Sequence, residues 1–215
     1  MAATEQDIVR TFLSSSFFAE DEAAPSVARL LALPCDPEER RLLESYAAEE
    51  AGHAAMISDH FETNGLQLGQ PFWVQRLFKL ARARPTMLVQ MYTIEVMACL
   101  FYGAMATRTT DEAAKSLMRK LLRDEARHIR LVRELLVREL ARLGPLQRVK
   151  AHTIALLFRV GASVTAYVQA RHLRPVLGDT GLTLPKKLFR LLSADRVDQP
   201  SKPLTWWWGA PAVAP

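Results

Sequence analysis

Two Glu-x-x-His segments, Glu50 to His53 and Glu125 to His128, stand 75 residues apart. The same offset joins Glu20 to Glu95, Phe17 to Tyr92 and Leu13 to Leu88, and each lone Glu precedes its Glu-x-x-His by 30 residues. On an α-helix, residues three apart project from one face. Each segment therefore presents a carboxylate and an imidazole together. The chain reads as two similar helix pairs, each supplying one Glu and then one Glu-x-x-His.

One Glu from each of two helices and one Glu-x-x-His from each of the other two is the ligand set of dimetal carboxylate bundles. The expected metal ligands are Glu20, Glu50, His53, Glu95, Glu125 and His128. Carboxylate oxygens with imidazole nitrogens suit iron or manganese better than a thiolate-type zinc site. Four carboxylates also balance two divalent ions, which makes burial of the charges tolerable. Two iron ions are expected, with a Mn/Fe pair as the alternative.

The run Asp124-Glu125-Ala126-Arg127-His128 resembles the signature of the oxygen-activating branch of the ferritin-like superfamily, which includes bacterial multicomponent monooxygenases and ribonucleotide reductase small subunits. The likeness covers roughly residues 5–143. The first copy departs from it, with Glu49 for Asp and Gly52 for Arg. The resemblance implies a four-helix bundle in which the acid before each ligand glutamate orients the histidine of the other copy. Asp124 would then serve His53, Glu49 would serve His128, and Arg127 would balance the two acids. It further implies O2 activation at a reduced di-iron centre, an external electron donor and an organic substrate.

At 215 residues and 24.2 kDa, the chain is long enough for one domain with a proper core. The expected class is all-α, a ferritin-like four-helix bundle with additional C-terminal helices. Its parts are a bundle over 5–143, a basic helical extension over 145–195 and a Pro/Trp-rich tail over 196–215. Cys35 and Cys99 make neither a disulfide framework nor a rubredoxin centre, which fits a cytoplasmic location. The most apolar window, Leu88 to Ala106, carries Glu95 near its middle, so a buried ligand helix is expected rather than a membrane span.

Helix 1 is expected from Glu5 to about Ala24, with Pro25 ending or kinking it, Ser26 to Leu33 as a candidate further helical piece, and Glu22 as the rival ligand to Glu20. Helix 2 should start at Asp36-Pro37 and end near Asn64-Gly65. His60, two turns beyond His53, is too far along the helix to share its metal and reads as a second-shell or surface residue. A short basic amphipathic helix is expected over 72–84. Pro85 should open helix 3, and Thr109/Thr110 should cap helix 4, which stops at Gly144-Pro145. A long helix over about 146–173 carries Arg159 in an otherwise apolar run, a candidate for a substrate carboxylate. A last short basic helix is expected over 182–195. Trp206, Trp207 and Trp208 should pack on the body or on a partner.

Phe17, Tyr46, Tyr92, Cys99 and Tyr102 share the ligand stripes and are the candidates for a substrate pocket; ordinary core packing is the alternative for each. Residues 145–215 hold ten Lys/Arg and three Asp/Glu, a net +7 within a total of +5. This suits an anionic substrate or partner. No established RNA-binding motif supports RNA, and a homodimer is left open.

Three functional classes follow. The first is a di-iron oxygenase or oxidase, which includes enzymes resembling the tRNA hydroxylases. The second is iron handling, as a ferroxidase or a rubrerythrin-like peroxide reductase. Positive charge, two cysteines, and Ala98 where rubrerythrins carry an extra helix-3 glutamate all count against this class. The third is a metal-bearing scaffold.

Overall fold

The computed structural model describes residues 4–69 and 81–194. Seven α-helices lie within them: α1 (Glu5–Leu31), α2 (Pro37–Thr63), α3 (Arg84–Arg108), α4 (Glu112–Arg142), α5 (Pro145–His172), α6 (Arg174–Leu177) and α7 (Leu184–Ala194). A 3-10 segment, Gly178–Thr183, joins the last two. The architecture is all-α. Helix α1 packs on α2 and α3 on α4, while α1–α3 and α2–α4 contacts close the four into a bundle. Helices α5 and α7 pack on each other and against α3. The expected helix over 72–84 falls mainly in, and the Pro/Trp-rich tail wholly in, residues outside those described.

Local chemistry explains the helix limits. Asp36 caps α2 by accepting from the Glu39 amide, and the Glu39 carboxylate accepts back from the Asp36 amide. The helix ends at Gly65, whose φ of 62° is left-handed; Leu66 N–H then reaches the Phe61 carbonyl. Two expectations need correction. Pro25 does not end α1. The helix runs on to Leu31, because Val27 and Leu30 beyond it are completely buried and offset the lost backbone hydrogen bond. The cap of α4 is Asp111, not Thr109 or Thr110. Both threonine hydroxyls instead donate to Glu5 Oε1 at the start of α1, at 2.9 and 3.0 Å.

That Glu5 contact pins one end of the bundle. A buried arginine pins the other. Arg84 Nη2 donates to Glu39 Oε2 at 2.8 Å, its Nε donates to Glu139 Oε2 at 3.1 Å, and its Nη1 donates to the Pro34 carbonyl at 3.1 Å. One guanidinium thus ties the start of α2 and α3 to the end of α4. Between the two pins, Leu13, Leu43, Ile57, Leu88, Met118, Leu121 and Leu135 are fully buried. They fix the helix positions from which the polar side chains project inward.

Among the described residues, two helices are long and apolar enough to cross a membrane, α3 and α5. Burial accounts for α3, since 78% of its apolar window lies inside the protein. For α5 the share is 11%. Its buried residues are small, Ala151, Ala162, Ala166 and Ala170; Phe158 packs on the core half-buried, and most of its other large apolar residues are exposed.

Removing the pin at Arg84 should be costly, because it strands the buried Glu139 carboxylate and leaves the buried Glu39 with Arg142 as its remaining cation. Arg84→Ala should lower unfolding free energy by about 3–5 kcal/mol, read from the shift of the denaturant midpoint at unchanged slope. A shift close to zero would show that the carboxylates find other partners.

Candidate metal centre

Each of the four bundle helices sends acids to the same buried level. Glu20 comes from α1, Glu50 and His53 from α2, Glu95 from α3, and Glu125 and His128 from α4. None of the six is more than 5% exposed. Glu50, His53, Glu125 and His128 each offer one ligand atom, and these four atoms lie within 4.8 Å of one another. This buried two-histidine, two-glutamate cluster can hold a metal ion and is consistent with a ferritin-like metal-binding bundle.

The remaining distances divide the cluster into two halves. His53 Nδ1 stands 3.5 Å from Glu20 Oε2, and His128 Nδ1 stands 3.8 Å from Glu95 Oε2. Each histidine thus has the lone glutamate of its own helix pair within 3.8 Å, while its nearest carboxylate comes from the other pair. Glu125 lies between them, with Oε1 3.3 Å from His53 Nδ1 and Oε2 3.3 Å from His128 Nδ1. Glu50 Oε1 is 2.6 Å from His128 Nδ1 and 3.9 Å from His53 Nδ1. The internal repeat of the sequence therefore reappears as two half-sites joined by two central carboxylates.

Three buried atoms here have no hydrogen-bond partner: Glu50 Oε1, His53 Nδ1 and Glu125 Oε1. The 2.6 Å approach of His128 Nδ1 to Glu50 does not have hydrogen-bonding geometry. Orphaned buried polar atoms are expensive unless something else satisfies them. All three are metal-ligand atoms and all three point into the cluster, so the residues present fit a bound cation.

The outer ring nitrogens are held across the bundle. His53 Nε2 is 3.4 Å from Asp124 Oδ2 on α4, and His128 Nε2 is 3.1 Å from Glu49 Oε2 on α2. Arg127 spans both acids, reaching Asp124 Oδ1 at 2.7 Å and Glu49 Oε2 at 2.8 Å. Its hydrogen bonds to Glu49 hold that carboxyl below the usual range against the opposing effect of burial. An acid on the outer nitrogen fixes the ring's tautomer and leaves Nδ1 free to face the cluster.

Two tyrosines act where composition alone suggests only packing. Tyr46 donates its hydroxyl to Glu95 Oε1, and Tyr102 donates to Glu20 Oε1 at 2.6 Å. Burial first, and then the neighbouring carboxylates, push both phenols up, so they stay protonated donors. Their partners are the two lone glutamates, one in each half-site. The signal was present in the one-turn spacing of Tyr46 to Glu50 and the two-turn spacing of Glu95 to Tyr102, but spacing does not reveal which carboxylate a hydroxyl will reach.

A cavity of about 120 Å3 opens between α1, α3 and α5 and ends on Glu20, Glu50, Glu95 and Glu125. Phe12, Phe18, Met91, Ile94, Met97 and Phe101 make its wall apolar. Tyr46 and Tyr102 line it; Phe17, Tyr92 and Cys99 do not. Phe17 is half-buried with its ring edge-on to Phe18, and the inward position it was expected to hold on α1 is taken by Ser16. Tyr92 faces a smaller cavity beside α5, together with Arg159. Cys99 is buried in the core. His60 lies outside the cluster, half-buried, with its carbonyl accepting from Asn64. Glu22 lines the cavity mouth and is not among the clustered ligands.

Compared with models of known protein families, the chain gives no match. Compared with curated proteins and with solved structures, it likewise gives no significant match.

Stripped of metal, the site should make stability depend on pH. Burial opposes charge on His53, but the facing carboxylates of Glu125 and Glu20 raise it from 6.5 to about 10. Its stabilising contribution is therefore complete below pH 6.5 and is lost as pH rises towards 10. Burial and neighbouring carboxylates also raise Glu50 and Glu95, so stability is lost in the same direction from about pH 4.5 upward. Glu125 is the reverse. Burial works against its ionisation, yet the neighbouring Glu95, His128 and His53 hold it low, and its contribution is retained above 4.5. The melting temperature of chelator-treated protein should fall between pH 6.5 and pH 10, and iron-loaded protein should show a weaker fall. Identical profiles with and without metal would contradict this.

Orientation should be separable from ligation. Asp124→Asn should weaken metal binding by roughly 10–100-fold at unchanged helicity, while His60→Ala should leave it unaltered. Equal losses in a metal titration of both variants would remove the role assigned to Asp124.

Proposed function

We propose that this chain is a non-haem di-iron oxygenase that oxidises a small, uncharged, apolar organic substrate or the apolar end of a larger one. The observation that carries the reading is an apolar cavity ending on four carboxylates of a buried two-histidine cluster. Glu20 with His53 would hold one ion and Glu95 with His128 the other, with Glu50 and Glu125 between them. When bound, a pair of iron ions supplies the electrons and the oxidising power that O2 chemistry at a C–H bond requires.

The protein's own groups have distinct tasks. Asp124 and Glu49 hold the imidazoles by their outer nitrogens, and Arg127 neutralises both acids. Tyr46 and Tyr102 hold the lone glutamates and can keep a proton at their oxygens. Phe12, Met91 and Phe101 exclude water from the floor of the cavity. Among the described lining residues there is no Lys or Arg, so the positive charge of the C-terminal part does not select the substrate here. Arg159 stands in the other cavity. An iron-storage protein needs an acidic ion route. Beyond the four carboxylates of the floor, Glu22 is the one acid among the described lining residues. The free thiols Cys35 and Cys99 suit a reducing cytoplasm and reduction by an external electron donor.

Ala98 lines the cavity and is half-buried, so a larger side chain there should fill it without disturbing a ligand. In iron-loaded, chemically reduced protein, Ala98→Phe should retain its iron but oxidise a toluene probe at least roughly tenfold more slowly than wild type. Rapid turnover of excess ferrous ion with no effect of toluene in either protein would favour the iron-handling class.

A further inference from the structure

We propose that the outward face of α5 docks on an anionic lipid bilayer, with the helix lying along the surface of the membrane. Leu146, Val149, Leu156, Leu157, Val160, Val164 and Tyr167 are 47–82% exposed, with Leu146 the most exposed at 82%. At 100° per residue they fall within one narrow stripe. From Leu146 to Tyr167 the stripe runs about 30 Å by helical rise. Contiguous exposed apolar surface on this scale marks a contact with another phase or partner. The side of α5 that faces the protein is mostly alanine, with Phe158 as the large residue packed on the core. The helix is thus apolar on both sides, with most of its larger residues facing away from its own core.

Charge selects the occupant. Helix α5 contains no Asp or Glu, and it exposes Lys150 and Arg171; Arg148 donates to the Leu140 and Ala141 carbonyls and Arg159 lines the smaller cavity. The neighbouring α7 adds exposed Lys186, Lys187 and Arg190, together with Phe189, which is 41% exposed. A second copy of the chain packed through the same stripe would set these cations against their own equivalents with no acid to balance them. An anionic lipid surface supplies both what the apolar stripe needs and what the cations need. A transmembrane placement fits less well, because α5 is packed side by side with α3 and α7 and carries Arg159 at its middle.

Thr165 and Gln169 of α5 line the larger cavity from the side of the helix turned away from the stripe, and both are half-buried. The docking does not rest on the oxygenase reading.

The test is flotation of the full-length, iron-loaded protein with vesicles of phosphatidylcholine and phosphatidylglycerol, and with vesicles of phosphatidylcholine alone. Wild type should float with the anionic vesicles, should float less at high salt, and should float least with the neutral ones. Replacing Leu156, Leu157 and Val160 by Gln keeps good helix formers on an exposed face. That triple variant should lose roughly tenfold or more in partitioning, with unchanged helicity and iron content. The proposal is overturned if wild type fails to float, or if the triple variant floats as well as wild type. It is equally overturned if the glutamines split a solution dimer into monomers, which would make the face a subunit contact. Loss of flotation on replacing Trp206, Trp207 and Trp208 by Ser, with the glutamine variant unaffected, would assign anchoring to the tail. Iron content is read in every arm, so failure of docking leaves the metal reading standing and loss of iron is seen separately.

Discussion

Burying four carboxylates and two imidazoles between four helices is the constraint on which this structure turns. Isolated buried charges are prohibitive, and a cluster of like charges more so. The protein meets this in layers. Glu125 is held between two histidines, Glu20 and Glu95 accept from tyrosine hydroxyls, and the outer histidine nitrogens face Asp124 and Glu49. What those layers leave unsatisfied are Glu50 Oε1, His53 Nδ1 and Glu125 Oε1, all facing inward. The arrangement is that of a scaffold made to coordinate cations, and the pins at Arg84 and Glu5 keep its four helices in place around them.

The two half-sites give this geometry its economy. Each helix pair brings one lone glutamate to its own histidine, and each sends its other glutamate to the middle. The outer contacts then cross over, α4 supporting the histidine of α2 and α2 supporting that of α4. Neither half is complete alone, so the site forms only when both pairs dock.

Much of this was legible in the sequence, because metal ligation demands particular residues at particular helical spacings. The 75-residue offset singled out the six inward side chains before any packing was considered. Asp36-Pro37 announced the start of α2 by local chemistry alone. What escaped depends on tertiary context. Pro25 fits within α1 because residues after it are buried, which no local rule reveals. Thr109 and Thr110 lost the capping role to Asp111 because Glu5, a hundred residues away in sequence, takes their hydroxyls. Phe17 and Cys99 have the right spacing but the wrong rotation about their helices to reach the cavity. The outward face of α5 was hidden for a similar reason: an apolar helix reads the same whether its surroundings are protein or not.

The central claim is that the cluster is a dimetal site built by all four bundle helices. Its most direct test is an anaerobic titration of the chelator-treated protein with ferrous ion, followed by elemental analysis and Mössbauer spectroscopy after removal of excess iron. The account predicts saturation at two iron ions per chain, with a spin-coupled pair in the oxidised protein. Saturation at one ion, or two uncoupled ions, would contradict it.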